Sequence, residues 1–152
     1  MVETNLSRII DNIDTVFRGD AWHGPSVMEI INSLPESKLK EKPSISKQSI
    51  AQNIFHLTAY RRFVIEKLED NIHFRLETDE ENWGTEEDLN DPVRLKENLL
   101  STHMTLLKKL EEFDDSLLNR NVPGEYYNFY TLLNGLIQHD TYHLGMIWVL
   151  WQ

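Results

Sequence analysis

The sequence predicts an all-α fold: a four-helix bundle with a short extra helix and a long connection between the second and third bundle helices. Apolar residues recur at intervals of three and four in four separate stretches, which is the spacing of one helix face. No stretch shows the strict apolar and polar alternation of a half-buried strand. At 152 residues, the chain is expected to form one domain over 1–152.

The first bundle helix is predicted from the apolar stripe that runs from Leu6 to Phe17, with Gly19 as its stop signal. A short extra helix follows. Ser26 and Glu29 have the spacing of a capping box, in which each side chain bonds the other residue's backbone N–H. This helix should end at about Leu34, because a proline follows.

The second bundle helix is predicted over Ile50–Leu68, after a polar connector from Glu36 to Ser46. Residues 71–91 are acidic and show no clear period, so we predict a long connection, of a length that is often functional or crosses the bundle. Asp91 followed by Pro92 is a strong start signal for the third helix, with the aspartate as N-cap and the proline at the first helical position.

The third helix is predicted to run to about Phe113, and the fourth fills most of the remaining chain. The fourth helix carries two histidines at positions where a core residue is expected. Its seam consists of Phe129, Leu132, Leu136, His139, His143, Met146 and Leu150.

Composition excludes several classes of function. The formal net charge of −10 would repel nucleic acid and anionic membrane surfaces, so neither is expected as a partner. The absence of cysteine removes disulfides, thiolate metal ligands and a protein thiol nucleophile. The N-terminus lacks a signal-peptide core and the apolar runs are short. We therefore expect a cytoplasmic protein whose metal ligands, if any, are histidine or carboxylate.

His139 and His143 are four residues apart, so both imidazoles lie on one helix face and can reach one metal ion. The alternative is that each is an ordinary core histidine with a hydrogen-bond partner. The segment H-D-T-Y-H at 139–143 also resembles the H-E-x-x-H of zinc peptidases, but no histidine or carboxylate follows it as a third ligand. Glu-x-x-His, the di-iron motif, is absent. Further ligands must come from another helix, where His56 and His103 are available.

Three segments together resemble the DinB/YfiT-like metalloenzymes, the DinB superfamily. They are W-H-G-P-S at 22–26, I-F-H-L at 54–57 and H-D-T-Y-H-L-G at 139–145. Their order and spacing agree with that family over essentially the whole chain. The resemblance implies a single DinB-like helical-bundle domain, with a long crossover between the second and third bundle helices, and a homodimer. Met146 departs from the pattern, because many members of the family have glutamine there.

The resemblance also implies a metal site. His56, His139 and His143 match the family's three-histidine ligand set, which binds zinc, nickel or a similar divalent ion with water completing the shell. His103 matches no ligand, and we interpret it as a core histidine or one that supports the site. Asp140 is the candidate catalytic residue. It lies about 100° around the helix from His139, so the alternative is that it orients a ligand or faces a neighbouring helix.

Three imidazoles leave at least one coordination position open, which is typical of catalytic sites. Family members with known activities include transferases that use a low-molecular-weight thiol such as bacillithiol or mycothiol. The resemblance therefore implies a metal-dependent thiol S-transferase acting on a small-molecule substrate. Two alternatives stay open: a non-catalytic, stress-associated metal-binding dimer, and a metal-dependent hydrolase.

Overall fold

The computed structural model describes residues 3–42 and 47–152, and within them the protein is all-α, as predicted. Four long helices dominate: α1 (Asn5–Arg18), α4 (Ile50–Leu68), α7 (Pro92–Leu110) and α8 (Phe129–Trp151). Shorter helices fill the connections: α2 (Val27–Ser33), α3 (Glu36–Leu39), α5 (Asp79–Trp83), α6 (Glu86–Leu89) and a 3₁₀ helix at Asp115–Asn119.

The helix starts predicted at Ser26 and Asp91 are observed in the structure. Ser26 and Glu29 form the capping box of α2. Asp91 accepts a hydrogen bond from the backbone N–H of Arg94, with Pro92 at the first helical position of α7. The long helices therefore begin where side-chain oxygens can satisfy their free N–H groups.

The connections contain more helix than predicted. Residues 71–91 hold α5 and α6, which are too short to show a helical period. The sequence feature that marks the start of each helix is a capping box, with Thr78 and Thr85 as the N-cap residues. Helix α7 ends at Leu110 rather than at Phe113. Within the predicted connector from Glu36 to Ser46, α3 forms, while residues 43–46 lie outside the described range.

Helices α4 and α7 are neighbours that run in the same direction. The Arg61 Nε donates to His103 Nδ1 at 3.2 Å, and further along both helices Lys109 Nζ lies 3.2 Å from Glu69 Oε1. Parallel neighbours start at the same end, so residues 69–91 must return along the whole of α4, a distance of about 28 Å. We call this segment the crossover.

The interior consists of two apolar clusters with a layer of buried polar side chains between them. One cluster takes the first half of α4 and the second half of α8, and the other cluster takes the opposite halves. The polar layer is formed by Arg61, His103 and Asp140, whose side chains are 0–1% exposed, together with Asp14. Each of the four long helices contributes one of these residues.

The polar layer is a continuous hydrogen-bonded network centred on Arg61. Its guanidinium donates twice to the Asp140 carboxylate, at 3.0 and 2.5 Å, and once to the carbonyl of Leu57. His103 accepts from Arg61 and bonds Asp14 through its other ring nitrogen at 3.0 Å. Phe17 stacks on His103, with ring centroids 3.7 Å apart. The network therefore joins all four long helices at one level.

We expect Asp140→Ala to lower the free energy of unfolding by about 3–5 kcal/mol, because it leaves the Arg61 guanidinium buried without its carboxylate. Urea denaturation followed by circular dichroism measures the loss. The control is Thr141→Ala at the exposed neighbouring position, for which a change within about 0.5 kcal/mol is expected. A loss of less than about 1 kcal/mol for Asp140→Ala would contradict a buried pair of this strength.

A second prediction concerns His103, whose pKa is lowered to about 3 by burial and by the positive charge of Arg61. In the unfolded chain the pKa is the ordinary 6.5, so between these values the unfolded state binds one proton more. The stability advantage of wild type over His103→Gln should therefore shrink by about 1.4 kcal/mol per pH unit as pH falls from 6 to 4. If the stability of both proteins changes with pH in the same way, His103 is protonated in the folded protein as it is in the unfolded chain, and the prediction is wrong.

Candidate metal centre

Three histidines from two antiparallel helices meet beside the polar layer. His56 projects from α4, and His139 and His143 project from successive turns of α8. One ring nitrogen from each can be chosen so that all three atoms lie within 4.8 Å of one another. The ring centroids are 4.4 to 5.0 Å apart. The predicted ligand set is therefore brought together, and we call it the three-histidine group.

His56 is held by the crossover. Its Nδ1 lies 2.9 Å from the backbone carbonyl oxygen of Asn82, and a carbonyl can only accept, so Nδ1 carries the hydrogen. The indole of Trp83 stacks on the imidazole with centroids 4.0 Å apart and planes 12° from parallel. Nε2 of His56 therefore keeps its lone pair and faces the group in a fixed orientation.

His143 is oriented by a side chain rather than by the backbone. Its Nδ1 lies 2.8 Å from Oδ1 of buried Asn53. The Asn53 amide nitrogen donates to the carbonyl of Ser49 at 2.9 Å, which fixes the oxygen toward the histidine. His143 therefore donates from Nδ1 and presents the Nε2 lone pair, which is the arrangement found around metal-bound histidines.

His139 completes the group without a partner of its own. Both of its ring nitrogens are buried, and neither has a hydrogen-bond partner among the described residues. Its ring packs against Tyr60, with centroids 4.4 Å apart. A buried polar group without a partner costs about 1–3 kcal/mol. A metal ion bound by one of the two nitrogens would offset this cost, so the residues present fit the implied ion.

All three imidazoles are neutral at neutral pH. Burial lowers the pKa of His139 to about 3, with smaller contributions from His143 and His56. Burial likewise lowers the pKa of His143 to about 4 and lowers that of His56. Neutral imidazole is the form that binds a metal ion, so no proton competes for these nitrogens near pH 7.

Asp140 lies on another face of α8 from the three-histidine group. Its carboxylate is 1% exposed, and both oxygens accept from Arg61. Burial raises the pKa of Asp140, while the Arg61 charge and hydrogen bonds oppose that rise. Its catalytic role stays a prediction, and the contacts described here are those of the polar layer. His103 also lies in that layer, bonded to Arg61 and Asp14.

Sequence reasoning missed the groups that orient the ligands. Asn53 and Tyr60 share a helical flank with His56, so their proximity to it was visible in the spacing. Asn82 acts through its backbone carbonyl, which leaves no trace in side-chain identity. Trp83 was a lone aromatic residue in an acidic segment, and nothing in its spacing pointed to His56.

Two pockets flank the three-histidine group in the groove between α4 and α8. The outer pocket, of about 320 Å³, is lined by Gln48, Asn53, His56, Trp83, Tyr142, His143 and Met146. The apolar pocket, of about 270 Å³, is lined by Tyr60, Val64, Tyr127, Thr131, Leu132, Gly135, Leu136 and His139. A larger pocket of about 550 Å³ between α4, the crossover and α7 touches none of the three histidines, so we do not assign chemistry to it.

Known proteins were compared with the chain by family, by curated sequence and by solved structure. The family model of the DinB superfamily matches residues 22–147, a range that contains all three histidines. No significant match was found among curated proteins or among solved structures. In the described part of the chain, no helix is both long and apolar enough to cross a membrane. The family match covers most of the chain, and the protein therefore belongs to the DinB superfamily.

Proposed function

We propose that His56, His139 and His143 bind one divalent metal ion and that the protein is a metal-dependent enzyme of the thiol S-transferase type. The observation that carries this proposal is the state of His139. Its ring nitrogens are buried beside two histidines that present lone pairs, yet neither nitrogen has a partner among the described residues. A core histidine kept only for packing would be expected to have a hydrogen-bond partner.

The donor set supports zinc or nickel at an open site. Three neutral imidazoles suit these borderline ions, and three protein ligands leave a coordination position for water or substrate. Such an ion, when bound, lowers the pKa of a coordinated water or thiol. Around it, Asn82 and Asn53 hold two of the imidazoles in place, and Trp83 covers His56 on one ring face.

Thiol transfer is favoured over hydrolysis by the lack of a base in the group. The described three-histidine group includes no carboxylate, and Asp140 is engaged by Arg61. A free thiol has a pKa of about 8.5 and loses its proton near neutrality with little help, whereas free water has a pKa of about 15.7. The protein has no cysteine, so the thiol would be a low-molecular-weight cosubstrate, which a reducing cytoplasm supplies.

Two alternative functions are also consistent with this site. A non-catalytic metal-binding protein is consistent with the same lack of a free base. A hydrolase would use the open position for water, with the metal ion rather than a side-chain base lowering the pKa of that water. In each case we propose a homodimer, because α8 exposes several large apolar side chains, namely Tyr142, Trp148 and Val149, at 43–65% of their surface.

The first test is metal content. Protein purified without chelator should contain close to one equivalent of zinc or nickel by elemental analysis, and His139→Ala should lose most of it, because two ligands bind far more weakly than three. His73→Ala, at an exposed position in the crossover, is the matched control and should keep the metal. Circular dichroism confirms that each variant is folded.

Two results would contradict the ligand assignment. Equal metal loss in both variants would show that the ion binds nonspecifically. A folded wild type that takes up neither zinc nor nickel would show that the three histidines are core residues.

The second test separates the three functions. In cobalt-loaded protein, a small thiol should produce a sulfur-to-cobalt charge-transfer band, and loss of free thiol to an alkyl halide should be faster than with His139→Ala. Metal-dependent cleavage of a p-nitrophenyl ester without a thiol band would favour the hydrolase. If neither a band nor turnover is observed in the fully loaded protein, the non-catalytic role would replace the proposed one.

A further inference from the structure

The apolar pocket reaches the three-histidine group through two side chains. His139 lines it directly, and so does Tyr60, whose ring contacts both His139 and His56 with centroids 4.4 and 4.7 Å apart. From there the pocket continues along the α4–α8 groove toward Val64 and Leu132. A molecule lying in this pocket would therefore extend away from the metal ligands along the groove.

The lining of the pocket suits an alkyl or aryl group. Val64, Leu132 and Leu136 supply aliphatic surface, and Tyr60 and Tyr127 supply aromatic surface. The volume of about 270 Å³ exceeds the roughly 150 Å³ of an apolar cavity that binds benzene. Transfer of a hydrocarbon of that size from water into this pocket would be favourable, because apolar side chains would surround it on several sides.

Gly135 lines this pocket without a side chain. It lies inside α8, one turn before His139, and a Cβ atom built there would meet nothing within 4 Å. Glycine weakens a helix interior, and no close backbone approach explains it here. Gly145 is an internal comparison, since a Cβ there would also meet nothing within 4 Å among the described residues, but it lies two residues after His143 and lines none of the pockets described above.

We propose that the apolar pocket binds an alkyl or aryl group of the substrate while a donor atom of the same molecule occupies the three-histidine group. Gly135 then sets the size of the group that is accepted. This inference rests on the proposed function, because it assumes that a ligand atom reaches a metal held by His56, His139 and His143. It adds the substrate class: a compound with a coordinating head and an apolar body.

The test is a series of linear alkanethiols from ethanethiol to hexanethiol, titrated into cobalt-loaded protein and followed by the sulfur-to-cobalt band. Affinity should rise by up to about fourfold per added methylene while the chain fills the pocket. In Gly135→Leu the added side chain lies at the pocket lining, so the rise with chain length should disappear. Gly145→Leu should keep the wild-type gradient.

A second measurement needs no metal. In metal-free protein, hexanethiol should shift the methyl NMR signals of Val64, Leu132 and Leu136, and these shifts should be lost in Gly135→Leu and kept in Gly145→Leu. Gly135→Ala serves if the leucine variant does not fold, and a partial loss is then expected.

The outcomes separate the two proposals. Methyl shifts without a thiol band would retain the pocket as a binding site and overturn the proposed metal chemistry. A thiol band with equal affinity for all chain lengths, and no methyl shifts, would overturn the pocket assignment and leave the metal chemistry standing. A gradient that survives in Gly135→Leu would also overturn the role of Gly135.

Discussion

The ion pair between Arg61 and Asp140 is the constraint on which the rest of the structure depends. Both groups lie in the interior with essentially no exposure, where an unpaired charge would be prohibitively costly. Arg61 follows His56 by five residues on α4, and Asp140 is adjacent to His139 on α8. If α8 slid along α4, the pair would break, so the register that keeps these charges together is also the register that brings the three histidines together.

The two ends of the interior can then be built from ordinary apolar side chains. The polar layer divides the core into two clusters, and the three-histidine group lies next to that layer. Asp14 and His103 extend the network from Arg61 to α1 and α7. The helices that carry no metal-ligand candidate are thereby tied to the two that do, and Asn82 and Trp83 of the crossover bring a fifth segment to the same level.

The long helices could be predicted from sequence because their apolar periodicity reports a buried face directly. His139 and His143 stood out because they interrupt that face at ligand spacing. The role of Asp140 could not be predicted, since it depends on which side chain of α4 lies opposite, and that is known only once the helices pack. The contact between His56 and the carbonyl of Asn82 is even harder to predict. Every residue has a backbone carbonyl, so this contact depends only on the path of the crossover.

That contact also has a kinetic consequence. His56 depends on a crossover segment in which α5 and α6 contain no fully buried residue, while the helices that carry the histidines have well-packed cores. Segments with few buried contacts open locally far more often than the whole protein unfolds. Opening of this segment alone would release the His56 ring from Asn82 and Trp83, while α4 and α8 keep the three histidines on their helices. Exchange of a bound ion can therefore proceed through local opening, on a timescale separate from that of global unfolding.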